Sequence, residues 1–430
     1  MEELYSLLRS KARVESSRIV VEPGWESIVE EFKDAVVDSL VKGMLEEASA
    51  WIELFVEEAS RAQRLLGASG WLLPKEMKSF IEDPRRHLRK KLFQYTMDLI
   101  RGRLSLEEYM GRARSALVTS VRTNARSLYQ SWVFAAILAN MAEREGASIV
   151  YPEHGFILVE RTGRQRGGSI PPDLVVRSGR GEISFFLEAP RPIGWGDGGE
   201  LARSWRLYTS LRPDMLVYSG RVIDIVDLES RGAPIKRPNI VVECKESPDW
   251  FERQRYLKGI LEGPLRAEEW YSRWLEGLYE GLADILDIDL GVGDSRSRQV
   301  RALKVKEYRL VQLYKETFRP DVFILVSRAR LPRSVVADLE SRGITVLHGV
   351  EMGRPEMLSE AAEIIMGIAG GERLDIVEEA RARLRRAGIE ASREVVEWAL
   401  KILIDSRFEE LAGIITRYGR EAFAARRGLS

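Results

Sequence analysis

Two short motifs near the middle of the chain place acidic and basic side chains where they could hold a divalent cation. Pro213-Asp214 opens one apolar segment, and Glu243-Cys244-Lys245 closes another. Residues two apart on a strand share a face. We therefore expect Glu243 and Lys245 to point the same way and Cys244 to face the opposite packing layer. Asp214 joins them if the two strands are neighbours.

A metal ion would explain why charged side chains end such apolar strands. Buried carboxylates without a partner are costly, whereas two carboxylates suit Mg²⁺ or Mn²⁺, which keep water ligands and reach phosphate oxygens. The backbone carbonyl of Cys244 is a further candidate ligand. A bound metal lowers the pKa of its water and neutralises charge that develops on a phosphate. Lys245 would position the attacking water or stabilise that charge.

Three alternatives for such motifs stay open. Glu243 and Lys245 could form an ordinary ion pair on edge strands. Pro172-Asp173 followed by Glu188-Ala-Pro190 has a similar arrangement, but Pro190 offers no charge. Asp173 and Glu188 are therefore interpreted as structural, with Glu188 kept as an accessory candidate for the metal site. Arg319-Pro-Asp321 precedes a later strand without an acid-x-Lys partner and is interpreted as a turn.

The elements before the second motif are helices followed by a meander of strands. Apolar positions recur at helical spacing in the first 125 residues, with breaks at Gly67 and Pro84 and a helix start at Ser105. Another helix begins near residue 127 and ends at Gly146. Seven strand-like segments follow, at 147–152, 155–161, 173–177, 182–187, 214–218, 222–226 and 239–244.

Helical patterns return after the second motif, and a parallel unit follows them. A helical region is expected at 250–288 and a helix at 304–318. A strand at 322–326, a helix at 334–342 and a strand at 344–348 predict a βαβ unit. We predict an α/β protein in three parts: a helical domain at 1–125, an α/β domain at 126–352 with a helical insertion at about 250–300, and a helical C-terminal region at 353–430.

This order of motifs and elements resembles the PD-(D/E)XK nuclease superfamily, the restriction-endonuclease-like fold. Pro213-Asp214 and Glu243-Cys-Lys245 match its motif residue by residue, and the resemblance covers about residues 127–350. A leading helix with Tyr129-Gln-Ser-Trp132, a meander, Arg-Pro-Asp and acid-x-Lys is similar to the McrC-like group. That group usually has Asp-Ala-Lys where this chain has Glu-Cys-Lys.

The resemblance implies a restriction-endonuclease-like mixed sheet and metal-dependent hydrolysis of DNA phosphodiester bonds. Asp214, Glu243 and Lys245 would be the catalytic residues. Many relatives also direct a Gln or Tyr from the later helix toward the site, which points to Gln312 and Tyr314. An amphipathic core helix with Gln312 at its edge explains that pair equally well. Relatives often carry an acid on the leading helix, where this chain has Gln130.

Clusters of basic residues are candidates for contact with the DNA backbone. Phosphate contacts supply affinity rather than sequence information. The densest run, at 84–91, is interpreted as a solvated helix face. Arg161, Arg164 and Arg166, in a predicted hairpin loop of the same meander as the site, are the first choice for DNA contact. Arg296, Arg298 and Lys304 after a Gly-rich loop are further candidates. A solvated face is the alternative for each cluster.

The composition limits the classes of protein that remain. The 66 basic and 66 acidic residues balance, so nucleic-acid binding would depend on local basic patches. A single cysteine excludes an internal disulfide framework and a cysteine-based zinc site. The chain has neither an apolar run long enough to predict a membrane span nor a signal-peptide pattern, so we expect a cytoplasmic protein. Three asparagines and 31% charged residues resemble the bias of thermophiles.

Two hypotheses about function follow. The first is a Mg²⁺-dependent DNA endonuclease that acts as a homodimer or with a separate motor subunit. The chain lacks the Gly-x-x-x-x-Gly-Lys-Ser/Thr loop of an NTP-driven motor. The second is a non-catalytic subunit that binds DNA or docks on a partner while retaining the nuclease fold. An Asp/Glu glycosidase is poorly supported because it offers no role for Lys245.

Overall fold

The protein is a mixed α/β molecule with helices on both faces of a large sheet. The computed structural model describes residues 1–16, 18–159, 169–190, 208–209, 211–227, 234–256, 304–369, 381, 391–392 and 394–396. Within these ranges the predicted α/β class is confirmed by a seven-stranded mixed sheet. The same ranges hold no helix that is long and apolar enough to cross a lipid bilayer.

Helices dominate the chain before the sheet. Two of them are the longest described, with 39 and 40 residues, and they pack against each other. The elements are α1 (Glu2–Lys11), β1 (Ala12–Glu15), β2 (Arg18–Val21), α2 (Ile28–Leu66), β3 (Gly70–Leu72), α3 (Lys75–Glu82), α4 (Pro84–Ile100) and α5 (Leu106–Glu145).

Local sequence signals set the ends of these helices. Gly67 ends α2 and Gly146 ends α5, each with a φ of 63° in the left-handed region that favours glycine. Ser105 and Glu108 begin α5 with the reciprocal hydrogen bonds of a capping box. Pro84 opens α4, where its missing N–H costs nothing. The predicted breaks, start and stop at these positions are confirmed.

The remaining elements form the sheet and its later helices. The strands are β4 (Ser148–Tyr151), β5 (Phe156–Leu158), β6 (Leu174–Ser178), β7 (Gly181–Leu187), β8 (Met215–Ser219), β9 (Ile240–Lys245), β10 (Gln254–Tyr256), β11 (Lys304–Lys306), β12 (Val322–Ser327) and β13 (Ile344–His348). The helices are α6 (Glu307–Phe318), α7 (Arg333–Ser341), a 3₁₀ helix (Pro355–Leu358) and α8 (Ser359–Ala369).

Seven strands form the large sheet in the spatial order β13-β12-β9-β8-β7-β6-β4. Neighbours from β4 through β9 run antiparallel, whereas β12 runs parallel to both β9 and β13. Helix α7 connects β12 to β13, so the predicted βαβ unit is confirmed. The first motif directly precedes β8 and the second ends β9, and these two strands are neighbours near the centre of the sheet.

Alternation of side chains along the central strands separates two hydrophobic cores. On β9, Val242 and Cys244 face a core shared with α2, α5 and α8, while Val241 faces a core shared with α6 and α7. By the same alternation Glu243 and Lys245 belong to the second face. The sheet therefore presents these two charged residues toward α6.

Several predicted elements differ in the structure because local sequence pattern does not specify the partner with which a segment pairs or packs. β5 pairs in parallel with β3 rather than joining the large sheet. The predicted strand at 222–226 forms only an isolated bridge between Val226 and Ile235. The predicted helical region at 250–288 begins with a turn and with β10, which pairs with β11. Its remainder from residue 257 lies outside the described residues.

Helix α5 crosses the predicted boundary at 125/126 without interruption. Leu117 and Val121 before that point and Leu128 and Trp132 after it all lie in the first hydrophobic core. The preceding helices and the sheet therefore share one core. Of the predicted C-terminal helical region, the 3₁₀ helix and α8 are described, and most of 370–430 lies outside the described residues.

The turn between β6 and β7 touches the backbone of α8 and offers a test of this packing. A Cβ on Gly181 (φ 145°) would lie 2.2 Å from the carbonyl oxygen of Ala369. We expect Gly181→Ala to destabilise the protein by about 1–3 kcal/mol, measured by urea unfolding. Gly179→Ala is the matched control, since its Cβ would meet nothing within 4 Å. Equal stability of the two variants would contradict this close contact.

Candidate active site

The candidate site lies where β8 and β9 separate. The last pair of their ladder on this side is Met215 with Val242. Just beyond it, the N–H of Asp214 donates to Oε2 of Glu243 at 3.3 Å, and the N–H of Cys244 donates to Oδ2 of Asp214 at 2.6 Å. Side-chain carboxylates thus take the place of backbone acceptors. The backbone of each strand donates a hydrogen bond to the acid that belongs to the other strand's motif.

The structure brings the three predicted catalytic residues together at this end of the sheet. Asp214, Glu243 and Lys245 expose only 7%, 4% and 7% of their surfaces. Ionisable groups are seldom buried unless they are paired or serve a function. The same-face arrangement that the strand pattern predicts for Glu243 and Lys245 is present, with Cys244 in the opposite core.

The ammonium of Lys245 is enclosed by two carboxylates and two aromatic rings. Its Nζ donates to Oε1 of Glu243 at 2.8 Å and to Oε1 of Glu307 at 3.2 Å. It lies 5.7 Å from the centre of the Trp250 ring and 6.0 Å from that of Tyr314. The carboxylates balance its charge and the ring faces attract it, so Lys245 is held in one place.

Elements outside the sheet position these partners of Lys245. Glu307 is the first residue of α6, and its N–H donates to the carbonyl of Arg253, just before β10. An acid is favourable at a helix N-terminus. Trp250 donates from Nε1 to Oγ of Ser327 on β12 at 2.9 Å. The pairing of β10 with β11 therefore sets the start of α6 beside the site.

Helix α5 closes the site from the other side. Nε2 of Gln130 donates to Oδ1 of Asp214 at 2.5 Å. One turn earlier, Nε of Arg126 lies 3.6 Å from Oε1 of Glu246, which follows the second motif. Burial alone would lower the pKa of Arg126, but the surrounding carboxylates, with Glu246 foremost, raise it. Arg126 is 45% exposed and stands at the solvent side of the acids.

Burial and mutual repulsion disfavour the charged forms of the two acids, and Lys245 offsets this only in part. Burial is the main reason that the pKa of Asp214 lies well above its ordinary value, and repulsion from Glu243 adds to it. Burial also raises the pKa of Glu243, although Lys245 opposes this. Burial alone would lower the pKa of Lys245, yet Glu243 and its other neighbours raise it. A further cation between the two acids would relieve this strain.

The donor set fits a hard divalent cation. Mg²⁺ in proteins is commonly held by one or two carboxylates with several waters. Asp214 and Glu243 would supply the carboxylates, with the carbonyl of Cys244 as the predicted third donor. Among the described residues no cluster of three or more His, Cys, Asp or Glu side chains has metal-binding geometry. A cation here would therefore depend on water for much of its coordination.

Among the accessory candidates, Glu188 lies close to the first motif. It follows β7, has a φ of 43°, and its N–H donates to the carbonyl of Asp214 at 2.9 Å. Its charge contributes to the raised pKa of Asp214. Glu188 is half-buried, so its carboxylate borders the site without being enclosed in it.

The two candidates on α6 separate by helical phase. Tyr314 lies seven residues, or about two turns, after Glu307, so both face Lys245. Gln312 points about 140° away from Glu307 around the helix. Its Nε2 donates instead to Oδ2 of Asp338 on α7, at 2.6 Å. The expectation that Gln312 reaches the site is therefore corrected, and this residue joins two helices.

The two rival Pro-Asp motifs have structural roles. Oδ2 of Asp173 accepts the N–H of Leu187 at 2.6 Å, which ties the start of β6 to the end of β7. Asp321 accepts hydrogen bonds from Arg237 at 2.7 Å and from Asn239 at 2.9 Å, just before β12 and β9. Both acids thus satisfy groups at strand ends. This agrees with the structural role expected for Asp173, whereas the sequence indicates only a turn at 319–321.

Most of the predicted DNA-binding residues lie outside the part of the chain that the structure describes. Lys304 is the first residue of β11, three positions before Glu307. In the basic run at 84–91, Arg89 pairs with Asp34 and Lys91 pairs with Glu76. The other favoured residues, Arg161, Arg164, Arg166, Arg296 and Arg298, lie outside the described residues, so their contact with DNA stays a prediction.

Four residues around the site were not predicted from the sequence. Arg126 lies four residues before Gln130, and Glu307 lies two turns before Tyr314. Helical spacing therefore links Arg126 and Glu307 to residues that the sequence already indicates as candidates. Glu246 directly follows the second motif. Trp250 offers no such signal, because its position depends on the turn that leads into β10.

A scan against protein-family models and searches of curated proteins and of solved structures found no match.

The raised pKa values of the two acids predict how stability changes with pH in the absence of metal. An acid whose pKa is raised on folding loses stabilisation as the pH rises from its unfolded value of about 4 through its folded value. We expect Asp214→Asn to become more stable relative to wild type as the pH rises from about 4 to 8. Thermal unfolding in EDTA measures this difference.

Glu182→Gln is the control for this pH series. Arg177 and Arg221 lower the pKa of Glu182, so its contribution is already complete above the unfolded pKa of about 4.3. The stability of this variant relative to wild type should stay constant above about pH 5. A constant difference for Asp214→Asn as well would show that the buried pair is not strained.

Proposed function

We propose that this chain is a divalent-metal-dependent nuclease of the PD-(D/E)XK type that hydrolyses phosphodiester bonds in DNA. The observation that carries the proposal is the meeting of Asp214, Glu243 and Lys245 where β8 and β9 part. The element order supports it: α5, the antiparallel strands β6 to β9, α6, and β12 parallel to β9. This is the order expected for a restriction-endonuclease-like fold.

Asp214 and Glu243 would hold Mg²⁺ or Mn²⁺, with Cys244 offering its carbonyl. When bound, such a cation supplies Lewis acidity toward a phosphate oxygen and a water of lowered pKa. Asp214 is preorganised for this task because Gln130 and the N–H of Cys244 orient its two oxygens. Outer partners of this kind fix the direction of metal ligands.

Lys245 would stabilise negative charge that develops on the phosphate during hydrolysis. A fixed ammonium in a buried site is effective because it needs no reorganisation as charge develops. Its second carboxylate partner, Glu307, matters for the same reason. If Glu243 held a cation, the hydrogen bond to Glu307 would still keep Lys245 in place. Glu307 would therefore act as a positioning residue.

The surroundings of the site favour a phosphodiester over a neutral substrate. Arg126 stands at the solvent side of the acids and is suited to a phosphate oxygen, since guanidinium donors match that geometry. A glycosidase would use two carboxylates alone and would leave the buried Lys245 without a role. The combination of two acids, an ammonium and an outer guanidinium fits phosphoryl chemistry.

Cleavage assays test the proposal directly. We expect wild-type protein to cleave plasmid or oligonucleotide DNA with Mg²⁺ or Mn²⁺ and to lose activity in EDTA. Lys245→Ala should lower the rate by about 10²-fold or more, and Asp214→Ala should abolish metal-dependent cleavage. Calorimetry with Mn²⁺ would show whether Asp214→Ala also removes metal binding.

The control for this assay is Glu182→Gln, an acid on the same sheet but distant from the motifs. The absence of metal-dependent cleavage, or cleavage unchanged in both site variants, would overturn the nuclease proposal. Binding of DNA without metal binding, unaltered by Asp214→Ala, would support the competing hypothesis of a non-catalytic subunit that retains the fold.

Two buried glutamines provide a matched pair for the role of α5. Gln130 contacts Asp214, and Gln312 contacts Asp338 away from the site. We expect Gln130→Ala to weaken Mn²⁺ affinity or lower cleavage by about 10- to 100-fold. Gln312→Ala should leave both unchanged apart from stability. An equal loss of function in the two variants would remove Gln130 from the positioning of Asp214.

A further inference from the structure

A groove of about 530 Å³ lies between α3, α4 and the first half of α5. Its floor on α5 carries hydroxyl side chains at every fourth residue: Ser115, Thr119, Thr123 and Ser127. Residues four apart lie on one face of a helix, about 6 Å apart along its axis. Within the described residues, none of these four side chains makes a hydrogen bond to another group of the protein. The row is therefore available to a ligand.

The hydroxyl row leads to the candidate active site. Arg126 and Gln130 continue the same face of α5, and Gln130 donates to Asp214. Just beyond the groove, α3 packs against α5, since Oγ of Ser131 donates to Sδ of Met77, which also lines the groove from α3. The distance along α5 from Ser115 to Gln130 is about 22 Å. The residues of α5 that line the groove run from Arg112 to Ser127, about 22 Å along the helix axis, and end one turn before Gln130.

The charge on α5 favours an anionic ligand. Between Tyr109 and Ala142 this helix carries four arginines and no acidic residue, although the whole chain balances its charges. Arg112 lines the groove and makes no ion pair within 4.0 Å among the described residues. The groove also contains Glu76, but Lys91 pairs with it at 2.5 Å. The balance of charge along the track is positive.

The groove also offers an aromatic surface. Tyr95 on α4 is half-buried and lines the groove with Arg112. Sites for single-stranded nucleic acids combine a cationic track for the backbone with aromatic rings on which bases stack. Serine and threonine hydroxyls are common donors to phosphate oxygens. Hydroxyls, an unpaired arginine and one tyrosine along one groove match this chemistry.

We propose that this groove binds one strand of nucleic acid and delivers it along α5 to the site at Asp214, Glu243 and Lys245. The inference rests on the proposed nuclease function for the role of delivery, while binding itself is independent of catalysis. The track adds about 22 Å of contact on one side of the cleavage point. The substrate is then DNA with a single-stranded segment adjoining the scissile bond.

Fluorescence anisotropy with a labelled dT20 oligonucleotide in EDTA tests the groove without cleavage. We expect Arg112→Ala to weaken binding about ten-fold at low salt and to reduce the slope of log K against log salt by about 0.7. Tyr95→Ala should weaken binding about five-fold or more, because a stacking surface is lost. Thr123→Trp, which fills the track from an exposed position, should also weaken it.

Arg114→Ala is the matched control. Arg114 is exposed and lies two residues from Arg112, about 200° around the helix and away from the groove. The affinity of the Arg114→Ala variant for dT20 and its slope of log K against log salt should equal those of wild type. Unfolding curves that match for all four variants would show that the differences arise in binding.

Three outcomes would overturn the proposal that this groove binds a strand of nucleic acid. The first is unchanged binding in Arg112→Ala and Thr123→Trp. The second is tighter groove-dependent binding of a 20-base-pair duplex than of dT20, and the third is equal competition by a poly-glutamate peptide. Cleavage by wild type with unaltered binding in the variants would reject this inference alone. Groove-dependent binding by a protein that never cleaves would reject the nuclease proposal alone.

Discussion

The exchange of side-chain acceptors between β8 and β9 is the interaction on which the site depends. Asp214 and Glu243 each take a backbone N–H near the other motif, so the strands can part without leaving these donors unpaired. A buried N–H without an acceptor would cost as much as a lost hydrogen bond. The carboxylates therefore stabilise the gap between the strands in which they lie. The same oxygen atoms satisfy backbone N–H groups and form the candidate site.

This arrangement concentrates negative charge where burial disfavours it. Lys245 offsets part of that charge, and its two carboxylates and two rings hold it on one side of the acids. Breaking such a buried network is strongly unfavourable, whereas its net contribution to stability is small. The cluster lowers the stability of the fold locally, and the same buried acids make a site that favours a cation. The apolar cores on the two faces of the sheet supply the stability that permits it.

The sequence predicted the strands and motifs well because their signals are local. Alternation on β9 predicts the shared face of Glu243 and Lys245, and glycines and a capping box mark helix ends. It did not predict that β5 pairs with β3, because an edge partner depends on tertiary packing. The sequence alone does not distinguish Gln312 from Tyr314, because helical phase separates them only relative to Glu307 at the start of α6. Trp250 reaches Lys245 through a turn where a helix was predicted.

The uninterrupted course of α5 has a consequence for how such a protein can be divided. Its early turns carry Leu117 and Val121 into the core, and its later turns carry Gln130 to the acids. A fragment that began at residue 126 would start inside this helix and expose the apolar surface that α2 covers. The helices before the sheet are therefore not an appendage that can be removed or exchanged as a module. A variant that keeps this site in the same packing therefore has to keep α5 whole.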